Sequence, residues 1–484
     1  MSAPRPSLAL RALRVCAYAL ALAAIVHFGW GRRALWRTQL VDLGIGGDGL
    51  QYWSMAIHLE REHRVSLDGV TPTWVRLPGY PALLRLTTRP AASDTGATDP
   101  HAIQTRVDAW LRRAVRVNLV VDLGCGLAAF LLALALGAGP LSLLAPLSWA
   151  IQPWSTVVAV HPLSDPLATL LTTLCLAALA QAVRARSTAL LALGGLAAGL
   201  CQYVRPDAIL LAPALVAAGL LVHRGRPRAL WGLVVWALVF APWPLRNMVL
   251  FHAPHPLGAA GLDARGQQID RSAAFAWMRT WCVGGETETV NVAWKLPGTA
   301  LRFEDLPASA YDSAEEIAYL RRFFTDYAAR GSHLDSDLSR RLQGLAASRR
   351  ARHPLAYWVR LPLLRIALRL SAPREGYGLG TLPTLKRWPS QWIRFDRAVV
   401  AVGLEVLALL LVGRASRPVG AVLALWLACR CVLIGWLPAP EPRYFLEALP
   451  LLAALATGLL PASAAALAAA RAARRRLSPA RPLG

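Results

Sequence analysis

"VNLVVDLGCGLAAFLLALAL", Val117 to Leu136, decides the class of fold. As a helix rising 1.5 Å per residue, an apolar run of about 20 residues matches the hydrocarbon core of a bilayer. One acid, Asp122, interrupts it. Similar runs recur along the chain, giving about ten candidate spans by length and apolarity. The others are Val15–Trp30, Leu141–Val160, Pro166–Val183, Thr188–Val204, Ala208–Val222, Leu230–Leu245, Ala398–Val412, Val419–Leu437 and Phe445–Leu460. Several are short or carry proline. The expected fold is an all-α polytopic membrane protein.

Composition agrees. Of 484 residues, 55% are hydrophobic and 17% charged, and mean hydropathy is +0.40. The charged share is below the usual quarter for soluble domains. The net charge of +24 is nearly all arginine. It sits in short clusters between apolar runs, which fits topology signals and phosphate contacts rather than nucleic-acid binding. The seven cysteines form no C-x-x-C or Cys/His pattern with zinc spacing, and they read as small hydrophobes.

The first 30 residues carry a basic head and an apolar run. A cleaved signal peptide is one reading. The run closes on His27-Phe28-Gly29-Trp30 without an A-x-A site, which favours an uncleaved first span. With a cytoplasmic N-terminus, alternate connections fall inside. They hold Arg5, Arg11 and Arg14; the tight turn Gly137–Pro140; Arg184 and Arg186; Arg224, Arg226 and Arg228; Arg414 and Arg417; and the tail with Arg471 and Arg474 to Arg476. All but the tight turn are short and basic, the positive-inside pattern.

Two long segments then lie outside, Gly31–Arg116 and Asn247 to about Arg397. The expected organisation is a membrane domain over 1–246 with its outer loop 31–116, a helical outer-face segment over 247–397, and C-terminal membrane helices with a basic cytoplasmic tail over 398–484. In the second segment Ser313 to Arg330 reads as a helix opening on a capping box at Ser313 and Glu316. His353 to Leu370 alternates arginine with apolar positions at helical spacing. That suits a helix lying on the outer leaflet, with a re-entrant or extra span as the alternative. Thr87 to Pro100 reads as a mobile loop.

Polar residues at span ends collect on this outer side. Asp48 follows the first span in "GGDGLQYW", Gly46 to Trp53. Asp165 opens the fourth, Arg205 and Asp207 close the fifth, Arg246 closes the seventh, and Glu441 and Arg443 precede the tenth. Guanidinium forks suit phosphate oxygens, and carboxylates can take a proton from a hydroxyl. Each residue also has a plainer reading. Arg205 and Arg246 can snorkel to headgroups. Asp165 can cap a helix starting at Pro166. Gly79 and Pro81 can form only a turn, and Asp48 an Asx turn. His161 reads as a polar helix end. Within the spans, Asp122 and Glu405 are the expected ionisable exceptions. The functional reading rests on the set.

At these residues the chain resembles the GT-C membrane glycosyltransferases of the protein-mannosyltransferase and aminoarabinose-transferase type. "GDGLQYWSMAIHL" followed by "TPTWVRLPGYPALLRL" resembles their first outer loop, D-x-x-x-Y and then an R-P-P-G-Y-P-like stretch, with Leu77 where proline is usual. "LSDPLATLL", "GLAAGLCQYVRPDAILL", "APWPLRNMVLF" and "PEPRYFLEALPLL" resemble further family segments in the same order, over about Gly46 to Leu452. The resemblance implies a multi-span helical fold with helical outer loops. It implies sugar transfer, with inversion, from a polyprenyl-phosphate carrier to an acceptor at the outer face. It makes Asp48 the general base and Asp165 a supporting acid. It gives Arg443 and Tyr444 to the carrier phosphate, and Arg205 and Arg246 less defined roles. Tyr52, Arg76 and Tyr80 of the matching loop become substrate contacts. The segment Asp263–Ser390 resembles nothing assignable and is where acceptor choice is expected.

The absence of Walker A and Rossmann glycine motifs agrees with a lipid-borne donor, since no nucleotide sugar serves that face. Expected partners are a polyprenyl-phosphate-linked sugar, membrane lipids and an acceptor that is lipid, glycan or protein, with no nucleic acid. No cofactor is expected, and a divalent metal stays open. The expected location is a bacterial plasma membrane, multi-pass, with the site facing the periplasm. Two alternatives are a flippase of polyprenyl-linked lipids, which needs polar groups deep in the spans, and an assembly protein reading lipid charge.

Overall fold

The computed structural model describes residues 8–40, 48–73, 76–88, 100–224, 226–252, 261–262, 268–269, 271–284, 292, 295–296, 300–371, 390–413, 416–438 and 440–458. The chain is an all-helical polytopic membrane protein. Apart from short 3-10 and π turns, its described helices are α1 Leu8–Leu40, α2 Asp48–Arg61, α3 Gly79–Thr88, α4 Pro100–Leu136, α5 Leu144–Ile151, α6 Pro153–Ala159, α7 Asp165–Ala185, α8 Thr188–Gln202, α9 Ala212–His223, α10 Trp231–Phe240, α11 Pro242–Phe251, α12 Ser272–Met278, α13 Ala314–Ala329, α14 Ser336–Arg352, α15 Leu361–Ser371, α16 Ser390–Val412, α17 Arg417–Trp436 and α18 Leu449–Ala456. A two-residue antiparallel pair, Gly261–Leu262 with Gln268–Ile269, is the extended element among the described residues, beside an isolated bridge between Ser66 and Pro72. The loop expected over Thr87–Pro100 and the basic tail lie mostly outside the described residues.

Each of the ten apolar runs is mostly helical where it is described. Five described helices are long and apolar enough to cross a membrane: Val15–Leu35, Val107–Leu136, Asp165–Ala185, Pro206–His223 and Arg417–Trp436. Proline divides others. In the third run Gln152 is extended (φ −68°, ψ 111°) because the ring of Pro153 disfavours a helical residue before it. Its side-chain oxygen then accepts from the Trp154 N–H at 3.2 Å and caps α6. In the seventh run α10 and α11 meet at Pro242 with a bend of 40°.

The chain divides into two compact units, Met1–Pro256 with Ala398–Trp426 and Leu446–Gly484, and Leu257–Arg397 with Leu427–Phe445. In the first, α4 packs on α7, α7 on α8 and α8 on α10. Gly195 of α8 faces the Gly232 carbonyl of α10, where any Cβ would collide. Gly199, one turn on, lies against Val239, so small residues four apart let the two backbones approach. Arg33 of α1 and Asp122 of α4 are both fully buried and pair at 2.6 Å (Nε to Oδ2). Arg33 also donates to the carbonyls of Trp149 and Ala150, each at 3.1 Å.

The second unit has an aromatic core that includes Trp277, Phe323 and Tyr327. The Ser313 hydroxyl accepts from the Glu316 N–H at 3.2 Å, so α13 starts where the capping signal predicts. Residues 356–360 form one π turn leading into α15, whose buried face is charged. Arg365 donates to the carbonyls of Arg279, Cys282 and Gly435, and Arg369 to that of Gly284. Leu363 and Leu364 are on its exposed side. Trp358 stacks on Trp436, the last residue of a membrane-length helix, with centroids 5.1 Å apart.

Candidate active site

Asp48 is the first residue of α2, and its carboxylate accepts from Arg76 Nη2. Arg76 Nε donates to Gln51 Oε1 at 2.7 Å, so one guanidinium holds two residues of the first turn. Its Cζ lies 5.8 Å from the centroid of the Tyr52 ring. Tyr52 stands edge-on to Tyr80 of α3 at 5.0 Å. The pairing D-x-x-x-Y thus works as a helical i, i+4 relation, and the R-x-x-x-Y of the following stretch brings Arg76 and Tyr80 against it.

The two tyrosines join this loop to the membrane helices. The Tyr52 hydroxyl is 3.0 Å from Ser164 Oγ. Tyr80 donates to Asn118 Oδ1 at 3.0 Å. Asn118 Nδ2 donates to the carbonyls of His161 at 2.7 Å and Leu163 at 3.2 Å. Burial raises the Tyr52 phenol above its ordinary value, against the opposing pull of Arg76, and raises Tyr80 well above its own. Both therefore stay neutral hydrogen-bonding groups at physiological pH.

Asp165 is the first residue of α7 and is 2% exposed. The cap reading is corrected: the helix includes Asp165, and its carboxylate accepts from Arg205 Nη1 at 2.5 Å. Arg205 Nε also meets Asp207 at 3.1 Å and Glu447 at 3.4 Å, so three carboxylates surround one guanidinium. Thr172 donates to Glu447 at 3.3 Å. Gly79 does more than turn the chain. Its N–H donates to the Tyr203 carbonyl at 2.8 Å, and a Cβ there would lie 2.8 Å from that same oxygen. At Gly49 a Cβ would lie 2.8 Å from Pro162 Cγ. The segments holding Asp48 and Asp165 are therefore in direct contact.

Arg246, half-buried, donates to the Thr73 carbonyl at 3.4 Å and to Asn247 Oδ1 at 2.9 Å. It lies over the Trp243 ring at 4.6 Å. Among the described residues no carboxylate pairs with it. Arg443 and Tyr444 belong to the second unit. There Arg443 Nε is 2.7 Å from Glu441 Oε2, and the Tyr444 carbonyl accepts from Arg430 at 2.8 Å. Arg430 corrects the sequence expectation for the spans: it is a further ionisable residue within an apolar run, 1% exposed. His161 is a helix-end residue, its Nδ1 2.8 Å from the Val157 carbonyl. Among the described residues no group of three or more His, Cys, Asp or Glu is placed to hold a metal ion.

Asn118, Ser164 and Glu447 escape the sequence reading. The signal for Asn118 was present, a lone amide in an otherwise apolar run. Ser164 stands beside Asp165 in the matched "LSDPLATLL" and carries no signal of its own.

No family model matches the chain, and no curated protein matches it. Solved structures do. One is the oligosaccharyltransferase AglB from Archaeoglobus fulgidus in complex with an inhibitory peptide and a dolichol-phosphate, at 11% identity and a TM-score of 0.45 over 96% of this chain. Another is the apo oligosaccharyltransferase from the same organism, at 13% identity and a TM-score of 0.47 over 96% of this chain. The chain spans about half the length of these two, 52% of each. A third is ArnT from Cupriavidus metallidurans bound to undecaprenyl phosphate, at 15% identity and a TM-score of 0.36, over 87% of this chain and 77% of that one. Likenesses this distant leave activity to be argued from the site itself.

Proposed function

We propose that the chain is an integral-membrane glycosyltransferase that moves a sugar from a polyprenyl-phosphate donor to an acceptor at the outer face, with inversion and with Asp48 as general base. The observation that carries this reading is the joining of the Asp48 turn to the Asp165 turn through Tyr52 and Ser164. The turns that carry these two acids, from distant motifs, are joined by side chains that belong to the same motifs.

In this reading Asp48 takes the proton of an acceptor hydroxyl as its oxygen attacks the anomeric carbon. The bond from that carbon to phosphate oxygen breaks, and polyprenyl phosphate leaves with the electron pair. Arg76 fixes the orientation of the carboxylate. Arg246, which no described carboxylate occupies, is the guanidinium assigned to the leaving phosphate. Arg205, ringed by three acids, acts as a positioning residue that secures Asp165 and not as a phosphate contact. Arg443 and Tyr444 remain proposed carrier contacts. The N-terminus is cytoplasmic, the membrane is the bacterial plasma membrane, and the acceptor is a lipid, glycan or protein.

The test is sugar release from labelled polyprenyl-phosphate sugars by membranes holding wild type or Asp48→Asn at matched protein levels. Wild type consumes donor, and Asp48→Asn binds it but turns over about 10²–10⁴-fold more slowly. Equal consumption by both would remove Asp48 from the chemistry. A wild type inert toward every donor would sink the transferase reading.

A further inference from the structure

The second unit holds an open cleft of about 350 Å³ that the proposed transfer step does not use. It lies between the end of α12, the turn before α13, the end of α14 and the start of α15. Its lining is of two kinds. Trp281, Tyr357, Leu361 and Leu364 give aromatic and apolar surface. Asp312, Arg349, His353 and Arg360 give charged and hydrogen-bonding groups. A volume in this range suits a small organic ligand held by apolar contact and a few fixed polar groups.

The polar groups narrow the class. Asp312 meets His353 Nε2 at 3.0 Å and Arg352 at 3.2 Å, and Arg349 is 3.7 Å from it. Arg349 also donates to the Ala310 carbonyl at 2.8 Å and lies 3.6 Å from Glu316. Arg349 and Arg352 are already matched by carboxylates; Arg360, exposed at the edge of the cleft, has no carboxylate partner among the described residues, and an anion drawn to it would still share the cleft with Asp312. A wholly apolar guest would strip water from the same groups without replacing its bonds. A neutral ligand with hydroxyls on its edge and C–H bonds on its face fits both linings, since a hydroxyl donates and accepts at once.

We propose that this cleft binds a neutral sugar ring, which is the part of the acceptor this protein recognises. The acceptor role rests on the transferase reading above. The binding itself does not.

The full chain in phosphatidylcholine nanodiscs would be examined by saturation-transfer NMR with the methyl glycosides of glucose, galactose, mannose and N-acetylglucosamine. At least one is expected to receive saturation, with inorganic phosphate failing to displace it. Ser309→Trp, at an exposed cleft residue, should fill the cleft and abolish the signal. His353→Ala should weaken binding roughly tenfold, the worth of one hydrogen bond; it decides the matter if the tryptophan variant does not fold. No saturation of any glycoside in wild type, saturation that survives both substitutions, or displacement by phosphate overturns the proposal. Donor release measured on the same nanodiscs separates the two readings. Glycoside binding without release fails the transferase and keeps the cleft. Release without glycoside binding fails the cleft alone.

Discussion

The Tyr52 hydroxyl and Ser164 Oγ lie 3.0 Å apart across 112 residues of sequence. Both side chains are buried, so removing one leaves the other without this partner. Tyr52→Phe keeps the ring against Tyr80 and loses only the oxygen. It should cost about 1–3 kcal/mol, the penalty of stranding a buried polar group. The double variant with Ser164→Ala should cost less than the two singles added together. Thermal unfolding of the four proteins in one detergent measures this. Simple additivity would mean that the contact contributes nothing.

Gly79→Ala is expected to be disproportionately harmful for a one-carbon change. The new Cβ would stand 2.8 Å from the Tyr203 carbonyl oxygen, and backbone on both sides must shift. The hydrogen bond from the Gly79 N–H to the same oxygen would be strained with it. Loss of more than about 1 kcal/mol is expected, as for overpacked core sites. A wild-type unfolding temperature would show that the two segments separate freely.

Arg246 and Arg205 should respond differently to neutralisation. Arg246→Gln is expected to raise KM for the lipid donor by roughly tenfold or more while leaving the fold intact, since a charge-assisted contact contributes about 1.5–3 kcal/mol. Arg205→Gln leaves Asp165, Asp207 and Glu447 crowded together without their guanidinium, so it should lower yield and unfolding temperature first. Donor titration and thermal melts on both variants separate the roles. An Arg205→Gln protein of normal stability with only a raised KM would return Arg205 to the phosphate.

The proposed orientation is checked by fusions. A reporter active only outside should work after Leu262 and fail at Arg226, and a cytoplasmic reporter should give the reverse. Inversion of both results would place the polar network on the cytoplasmic side and remove the argument for a lipid-borne donor.

Asp68 gives a pH dependence with a definite sign. Its carboxylate accepts from the Thr71 N–H at 2.7 Å, the Ser66 hydroxyl at 2.8 Å and the Val70 N–H at 2.9 Å, which hold it below the ordinary carboxylate range. A lowered value means that its stabilisation is fully present above the ordinary range and is lost as pH falls through the lowered one. Hydrogen exchange of the turn after α2, corrected for intrinsic rates, should stay protected from neutral pH down through ordinary carboxylate titration. Asp68→Asn should be less protected already at neutral pH. Wild-type protection that fades in the ordinary carboxylate range would mean the turn does not depend on these bonds.

What the sequence discloses here follows the distance over which each signal acts. Asp48 and Tyr52, or Arg76 and Tyr80, are four apart, so their spacing alone brings them to one helix face or one turn. The break at Gln152 is written in the proline that follows it. Asn118 is different, because its value lies in the carbonyls of His161 and Leu163, which only packing brings within reach. Arg430 disappeared into the average of an apolar run, and its buried position becomes sensible only beside the Tyr444 carbonyl. The three acids around Arg205 come from positions 165, 207 and 447, and no local pattern joins them.

The pairing of Arg33 with Asp122 also bears on how the chain is made. α1 leaves the ribosome long before α4, and for that interval Arg33 lacks its carboxylate and the carbonyls of Trp149 and Ala150. Arg33 lies near the end of its membrane-length helix, so until then its guanidinium must be satisfied by headgroups or water. α1 therefore gains these buried contacts only after α4 and α5 have been made. A nascent chain halted before Asp122 would carry an α1 whose Arg33 still faces headgroups or water.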